Sequence, residues 1–355
     1  MKAERYRILD LDVVLRSDSE LFWDLFHTDH ALFTATGPPA DRCLTVVYRT
    51  NSGEGAVLTV DGVSRSLAES SRPEAHAYQM VLGGIMKAVR GFVVLHGGVV
   101  AAGDGRALAV CGLSGTGKTT LVTALLEEGF QFLSDDYCPI HQETRRVHPY
   151  PRTMWRVPKG RNGVPGVPSH GGMHGVKTPV PLDPRKVRIA TEPRELGSLI
   201  CIDPGENKDP WCTIRVYVDK RGEEILLNAS AGLDGVVAER LDGEEPVWAI
   251  RYRKGEGHVR KAAAILKAVE PHAFSMVKEG AYSPEYLREP TLRRISCVEA
   301  AHLLLVEPRR EPEGLRARPG RYFMHLVDLL SPIPCWHLTT GYLDKMRDLA
   351  LSTLQ

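Results

Sequence analysis

The chain has 355 residues, of which 43% are hydrophobic and 25% are charged, and its formal net charge is +1. This profile is typical of a soluble globular protein with one large or two smaller domains, and the balanced charge gives no global field that would attract nucleic acid. Seven cysteines without a C-x-x-C pair argue against a zinc ribbon or a disulfide framework and favour reduced thiols in a cytoplasmic protein.

The start of the chain leads into an acidic, alternating segment and not into an apolar core, so we expect no signal peptide. No stretch approaches the roughly 18 uninterrupted apolar residues of a membrane span, so we expect no membrane partner. Residues 1–85 are interpreted as an N-terminal α+β region. The elements predicted there are strands at 7–15, 44–48 and 56–60 and helices at 20–26 and 73–90.

The most informative motif begins at Gly112, where eight residues read G-L-S-G-T-G-K-T. This run fits the phosphate-binding pattern G-x-x-x-x-G-K-[ST] at every fixed position. The elements predicted around it are a strand at 92–96, a β-hairpin of strands 99–102 and 107–111, a helix at 119–128 and a strand at 130–134. A strand before the loop and a helix after it are the context that a phosphate-binding loop requires.

The residues of this loop predict a site for ATP and Mg²⁺. Glycines let backbone N–H groups point at a phosphate, helped by the positive end of the following helix. Lys118 is expected to bridge the β- and γ-phosphates, and the Thr119 hydroxyl to bind Mg²⁺. The predicted nucleotide-binding residues are Gly112, Ser114, Gly115, Thr116, Gly117, Lys118, Thr119 and Thr120.

Two aspartates, Asp135 and Asp136, directly follow the strand predicted at 130–134. One of them is able to hold Mg²⁺, and the other to accept a proton from an attacking hydroxyl. Neighbouring side chains on a strand point to opposite faces, so both reach one site only at the end of the strand. The alternative is a solvated turn. For His96, at the end of an apolar strand, a structural role is the more common one.

Beyond the aspartates the sequence is less informative. Residues 149–185 form a long segment rich in proline and glycine, with His148 beside it and His170 and His174 within it, which we interpret as a solvated lid rather than a metal site. An arginine-rich tract at 288–321 either holds an acidic substrate or forms solvated helix faces. Further elements are predicted as strands at 196–203, 213–218 and 333–338 and helices at 257–269 and 342–354.

The segment from His96-Gly97-Gly98 through the 112–119 loop to Asp135-Asp136 resembles the catalytic domain of the HPr kinase/phosphorylase family. Weaker similarity extends through 147–151 and 196–200 to 334–338. The resemblance implies an α/β fold in residues 86–355: a P-loop kinase domain of the HPr kinase/phosphoenolpyruvate carboxykinase-like type, with a mixed sheet and flanking helices, after the N-terminal α+β lead-in.

The resemblance also implies a serine kinase and a role for each matching residue. Asp136 matches the general base, Asp135 supports it or the metal, Lys118 stabilises the migrating phosphoryl group, and His96 lies at the reaction centre. Thr119 and Asp135 are the implied metal ligands. Two family features are not found: the second metal-binding glutamate is absent from residues 150–200, and the later catalytic arginine has no clear match. The candidates for that arginine are Arg152, Arg156 and Arg253.

These features favour a Mg²⁺-dependent phosphotransferase that acts on a serine of a peptide or small protein. Relatives with the abbreviated motif include kinases that modify ribosomal peptide natural-product precursors, among them lasso-peptide tailoring kinases. The alternatives are a small-metabolite kinase or carboxykinase-like enzyme, and a nucleotide-binding regulator without catalysis. The sequence predicts neither a nucleic-acid partner nor a membrane partner, and it leaves a homo-oligomer open.

Overall fold

In the computed structural model, the chain is a mixed α/β protein, which confirms the predicted class. The described residues are 1–51, 55–68, 73–113, 116–156, 178–180, 187–203, 211–241, 247–253, 256–269, 272–278, 289–305 and 319–354. In these ranges no helix is both long and apolar enough to cross a membrane. Most of the Pro/Gly-rich segment 149–185, with His170 and His174, and part of the arginine-rich tract 288–321 lie outside the described residues.

The N-terminal unit, which we define as residues 1–88, is a sheet covered by two helices. Its elements are β1 (Lys2–Ile8), β2 (Leu11–Ser17), α1 (Glu20–His30), β3 (Cys43–Asn51), β4 (Gly55–Val60), β5 (Val63–Ser66) and α2 (Pro73–Ala88). The strands pair in chain order, with β2 parallel to β3 and the other neighbours antiparallel. Phe22 of α1 stacks on Tyr48 of β3 with the ring centroids 4.4 Å apart.

The prediction of one strand at 7–15 is wrong, because the chain turns back within it. Leu9 adopts a positive φ of 55°, and Ile8 pairs with Leu11 across the turn. Tyr6 and Ile8 are buried before the turn, and Leu11 and Val13 after it. The buried positions therefore change from even to odd numbers at the turn, which keeps both strands facing the same core.

The remaining elements build a central sheet, a short ribbon and an insertion. From β6 to β14 they are β6 (Phe92–Leu95), β7 (Gly97–Ala101), β8 (Arg106–Gly112), α3 (Lys118–Glu127), β9 (Gln131–Ser134), β10 (Cys138–His141), β11 (Arg146–Val147), β12 (Met154–Arg156), β13 (Thr178–Val180) and β14 (Arg194–Asp203). They continue as β15 (Trp211–Val218), α4 (Lys220–Ser230), β16 (Val236–Leu241), β17 (Val247–Arg253), α5 (Glu256–Val269) and β18 (Ala273–Lys278). The last are β19 (Leu292–Ile295), α6 (Cys297–Leu304), α7 (Pro319–Leu330), β20 (Cys335–Thr339) and α8 (Leu343–Ser352).

The central sheet has the order β6-β10-β11-β14-β8-β7-β9, and β20 lies beside the second half of β14 with β19 outside it. It is mixed: β14 runs parallel to β8 and β20, whereas β7 runs antiparallel to β8 and β9. The strands β8, β9, β14 and β20 therefore point the same way. We call the side of the sheet at which they end, at Gly112, Ser134, Asp203 and Thr339, the carboxyl edge.

Helices cover both faces of the central sheet. Apolar residues of α6 and α7 pack with alternate residues of β8 and β14 on one face, and those of α3 and α8 pack on the other. The N-terminal unit shares a third core with β6 and with Tyr137 and Tyr150, so it packs directly against the central sheet. The predicted domains, 1–85 and 86–355, stay predictions.

An insertion, residues 211–278, separates β14 from β19. Its order β-α-β-β-α-β and antiparallel pairing β16-β17-β15-β18 give the ferredoxin-like arrangement. It has a core of its own, which includes Leu226, Trp248 and Ile250. The chain leaves from Asp203 and returns at Thr291, whose backbone forms hydrogen bonds of 2.8 and 3.0 Å with Thr339. The points at which the chain leaves the central sheet and rejoins it therefore lie at the carboxyl edge.

Because the insertion has its own core, we expect a fragment of residues 204–288 to fold alone. Its denaturant unfolding, followed by circular dichroism, should be a single cooperative transition. Ile250→Ala in this fragment should cost about 2–5 kcal/mol, since it empties a fully buried site. Val237→Ala, at a position that is 46% exposed, is the control and should change stability by less than about 0.5 kcal/mol. A fragment without a cooperative transition would contradict the prediction.

Candidate functional site

A glycine-rich loop joins β8 to α3 at the carboxyl edge, as predicted from the sequence. The φ of Gly117, the residue before α3, is 93°, in the left-handed region that favours glycine. At Gly112 a side chain is excluded by contact, because a Cβ there would lie 2.5 Å from the carbonyl oxygen of Ile202 on β14. Gly117 is thus required by its backbone conformation, and Gly112 by the close approach of Ile202. Ser114 and Gly115 lie outside the described residues.

Lys118 begins α3 and turns back over the loop. Its Nζ donates hydrogen bonds to the carbonyl oxygens of Gly112, at 2.9 Å, and Leu113, at 2.8 Å. Thr116 is buried, and its hydroxyl donates to the Leu113 carbonyl at 2.8 Å, whereas Thr120 is exposed. The Lys118 ammonium therefore lies inside the loop, where two of its acceptors are carbonyl oxygens of the loop itself. An anionic oxygen is a stronger acceptor than these carbonyls, so the loop has the chemistry to receive a phosphate.

The Thr119 hydroxyl contacts the Asp135 carboxylate, which connects the loop to the predicted aspartate pair. Its Oγ1 lies 3.1 Å from both Oδ1 and Oδ2. Asp135 directly follows β9 and is buried, with 6% of its surface exposed. The contact arises from the topology: β8 and β9 end at the same edge with only β7 between them. The two residues predicted to bind a metal are therefore together.

His96 lies beside the start of the loop, and Gly98 lies beside Asp135. The His96 carbonyl accepts a long hydrogen bond, 3.4 Å, from the Gly112 amide, and the residue is buried beside the start of the loop. A Cβ on Gly98 would lie 2.6 Å from Cγ2 of Val122 on α3 and 3.3 Å from Oδ1 of Asp135. The absence of a side chain at Gly98 thus allows α3 and the aspartates to approach β7.

Asp136 has a backbone conformation that is uncommon outside glycine. Its φ is 68°, in the left-handed region that aspartate tolerates better than most residues. The Ser134 hydroxyl donates to the carbonyl of Tyr137 and so closes the turn around the aspartates. Asp136 is half-buried and therefore more accessible than Asp135. Of the pair, Asp135 is held against Thr119 and Asp136 is the less buried.

The structure adds Asp203, which sequence reasoning missed. It ends β14, the parallel neighbour of β8, and the register places Ile202 opposite Gly112. Oδ2 of Asp203 lies 3.2 Å from Nε2 of His337 on β20. A signal was present, since an apolar run, L-I-C-I, ends in this carboxylate just as the 130–134 strand ends in Asp135. Asp203 therefore adds a third carboxylate to the carboxyl edge, in addition to Asp135 and Asp136.

The suggested catalytic role of Arg152 does not fit its position. Arg152 is buried, and its guanidinium donates to Oδ2 of Asp29, at 2.5 Å, and to the hydroxyl of Tyr78, at 2.8 Å. Burial disfavours its charge, but Tyr78 and Asp29 outweigh that effect and raise the Arg152 pKa well above its ordinary value. Arg253 is exposed on β17, and the Arg156 side chain lies outside the described residues. Arg152 therefore does not match the catalytic arginine of the HPr kinase family.

The site fits a magnesium ion that arrives with a nucleotide. Among the described residues, no group of three or more His, Cys, Asp or Glu side chains is arranged to hold a metal. Mg²⁺ in nucleotide sites commonly takes one or two protein oxygens and completes its shell with phosphates and waters. The Thr119 hydroxyl and the Asp135 carboxylate are such a donor pair.

Comparison with known proteins gives no relative from which a function could be transferred. No protein-family model matches the chain, and no curated protein is significantly similar to it. The functional conclusion therefore depends on the geometry of the carboxyl edge and on the chemistry of its side chains.

The close approach at Gly98 makes Gly98→Ala a test of the site geometry. The new Cβ requires Val122 and Asp135 to move, so we expect a loss of about 1–3 kcal/mol in the free energy of unfolding. Gly103→Ala, in the β7–β8 turn with open space around it, is the matched control and should change stability by less than about 0.5 kcal/mol. Urea denaturation of both variants measures the difference, and equal stabilities would contradict the described packing.

Proposed function

We propose that the chain is an ATP- and Mg²⁺-dependent serine kinase that transfers the γ-phosphoryl group to a hydroxyl of a peptide or small protein. The observation that supports this most strongly is the contact of the Thr119 hydroxyl with the Asp135 carboxylate. It joins a glycine-rich loop of the phosphate-binding type to a carboxylate pair whose second member, Asp136, is the less buried of the two. A site that only bound a nucleotide would need no second carboxylate beside the metal position.

The arrangement also supports a P-loop kinase fold of the HPr kinase/phosphoenolpyruvate carboxykinase-like type. In that reading the mixed sheet, with antiparallel β7 between β8 and β9, is the scaffold of the catalytic domain. His96 lies where β6 passes into β7, beside the first glycine of the loop. The family resemblance assigns the same neighbours to the reaction centre, so the geometry and the motif agree.

Each residue has a role in this proposal that follows from its position. The loop amides and Lys118 hold the phosphates, and α3 directs its positive end toward them. Thr119 and Asp135 would hold Mg²⁺, which would supply charge neutralisation at the phosphate oxygens. Asp136 accepts the proton of the acceptor hydroxyl and orients its oxygen. Catalysis is therefore mostly positioning and charge stabilisation.

The carboxyl edge favours an acceptor larger than a metabolite. The chain leaves for the ferredoxin-like insertion from Asp203 and returns at Thr291, both at this edge, and the N-terminal unit shares a core with Tyr137, the residue after Asp136. These two neighbours provide surface on which a peptide can be held. We propose a ribosomal peptide natural-product precursor as the acceptor class, consistent with the abbreviated motif, and a cytoplasmic site of action.

Replacing Lys118 with alanine should weaken ATP binding. Lys118 lies inside the loop that would receive the phosphates, so we expect the Kd for Mg²⁺-ATP to rise at least about tenfold, which is about 1.4 kcal/mol. Lys267→Ala, at an exposed position on α5, is the control and should leave the Kd unchanged. Isothermal titration calorimetry measures both. Unchanged ATP affinity in Lys118→Ala would overturn the nucleotide site.

Replacing Asp136 with asparagine should separate binding from transfer. The wild-type protein, incubated with γ-labelled ATP, Mg²⁺ and serine-containing peptides encoded beside its gene, should label one of them. Asp136→Asn should lower kcat by about 10²–10⁴-fold, because it removes the base, and should leave the Kd for ATP within about twofold.

The control for this experiment is Asp104→Asn, an exposed turn residue paired with Arg106, which should keep full activity. Transfer at the wild-type rate by Asp136→Asn would remove the base role. Labelling of a small metabolite and of no peptide would instead favour the alternative acceptor class.

A further inference from the structure

A buried ion pair connects the N-terminal unit to the segment that follows the aspartates. Asp29 on α1 and Tyr78 on α2 are both buried, and Oδ2 of Asp29 accepts hydrogen bonds from the Tyr78 hydroxyl and from the Arg152 guanidinium, the latter at 2.5 Å. Arg152 also donates to the Tyr78 hydroxyl at 2.8 Å. The neighbouring Thr153 hydroxyl donates to the Thr28 carbonyl at 3.0 Å. Arg152 is therefore fixed by side chains of another unit.

The same guanidinium contacts the turn at residues 134–137 that carries Asp135 and Asp136, which we call the aspartate turn. Its Cζ lies 5.3 Å from the ring centroid of Tyr137, the residue directly after Asp136, in a cation–π contact. Tyr137 also packs against Tyr150, with ring centroids 5.3 Å apart, and the Tyr150 amide donates to the Leu133 carbonyl on β9 at 2.8 Å. Arg152 thus contacts the N-terminal unit on one side and the aspartate turn on the other.

The turn needs such support because Asp136 has a left-handed backbone. A non-glycine residue keeps a positive φ only where its surroundings determine the conformation, and such residues concentrate at functional sites. Asp135 is held from one side by Thr119. Tyr137 is held from the other side by Arg152, and Asp136 is the residue between these two anchored neighbours in the chain.

We propose that Arg152 is a positioning residue for the Asp136 carboxylate, acting through the Tyr137 ring, so that the N-terminal unit sets the geometry of the base through Asp29 and Tyr78. The proposal rests on the proposed kinase function for its catalytic consequence. The structural coupling between the N-terminal unit and the aspartate turn does not depend on that function. This role of the N-terminal unit in the reaction does not require contact with the phosphates.

The test compares two variants at Tyr137 with one at Asp29. Tyr137→Leu removes the ring that Arg152 contacts, whereas Tyr137→Phe keeps the ring and is the conservative control. Asp29→Asn weakens the anchor of Arg152 from the other unit. Asp12→Asn is the matched control for Asp29→Asn, because Asp12 is equally buried and is paired with Arg5 and Arg7 inside the N-terminal unit.

Two measurements are made on the full-length variants. The first is amide hydrogen exchange of segment 131–141 by mass spectrometry, with α3 as the internal reference. The second is kcat on the peptide that the wild type phosphorylates, together with the Kd for Mg²⁺-ATP. Tyr137→Leu and Asp29→Asn should speed exchange in 131–141 and lower kcat, each at least about tenfold, with the Kd within about twofold. Tyr137→Phe and Asp12→Asn should match the wild type.

Three results would overturn the proposal: unchanged exchange at 131–141 in Tyr137→Leu, faster exchange with an unchanged kcat, or an equal loss of kcat in Asp12→Asn. If Asp29→Asn does not fold, the two Tyr137 variants decide the question. If the wild type transfers phosphate to no peptide, the kinase proposal fails, and the exchange rates alone decide whether the N-terminal unit controls the aspartate turn.

Discussion

The contact between the Thr119 hydroxyl and the Asp135 carboxylate is the constraint on which the rest of the site depends. It joins the first turn of α3 to the end of β9 across an intervening strand, at 3.1 Å from both carboxylate oxygens. This distance is possible because β7 carries glycine at 98, where any side chain would meet Val122. One hydroxyl, one carboxylate and one missing side chain thus bring the loop and the aspartates into a single site.

Around that site, a different part of the fold restricts the position of each functional side chain. The loop conformation holds Lys118, the sheet holds Asp135, and the buried Asp29–Arg152 pair holds the turn that carries Asp136. A buried ion pair adds little net stability compared with apolar packing, but breaking one partner is costly. In this protein the Asp29–Arg152 pair therefore serves mainly to fix the N-terminal unit relative to the aspartate turn, and its contribution to stability is secondary.

The sequence predicted what is local. The loop, its hairpin, α3 and the position of the aspartates all follow from residues within one continuous stretch, and the mixed α/β class follows from them. It did not reveal the turn after Ile8, because apolar and polar residues alternate partly on both sides of the turn, as they do along a single strand. It also missed the ion pair of Arg152, since no short-range pattern indicates that a partner on α1 exists. The sequence did not predict the insertion, because the hydrophobic patterns of α4 and β16–β18 are too weak to identify these elements before their pairing is known.

The insertion also affects how the chain reaches its native state. β14 pairs in parallel with β20 although the whole of residues 211–278 lies between them in the chain. Closing a long flexible loop has an entropic cost that grows with its length, and contacts distant in sequence slow folding. An inserted body with its own core, and with both ends at one edge, shortens the effective loop once it has formed. We therefore expect the insertion at 211–278 to fold before the central sheet is complete. The C-terminal strand β20 then joins the sheet last.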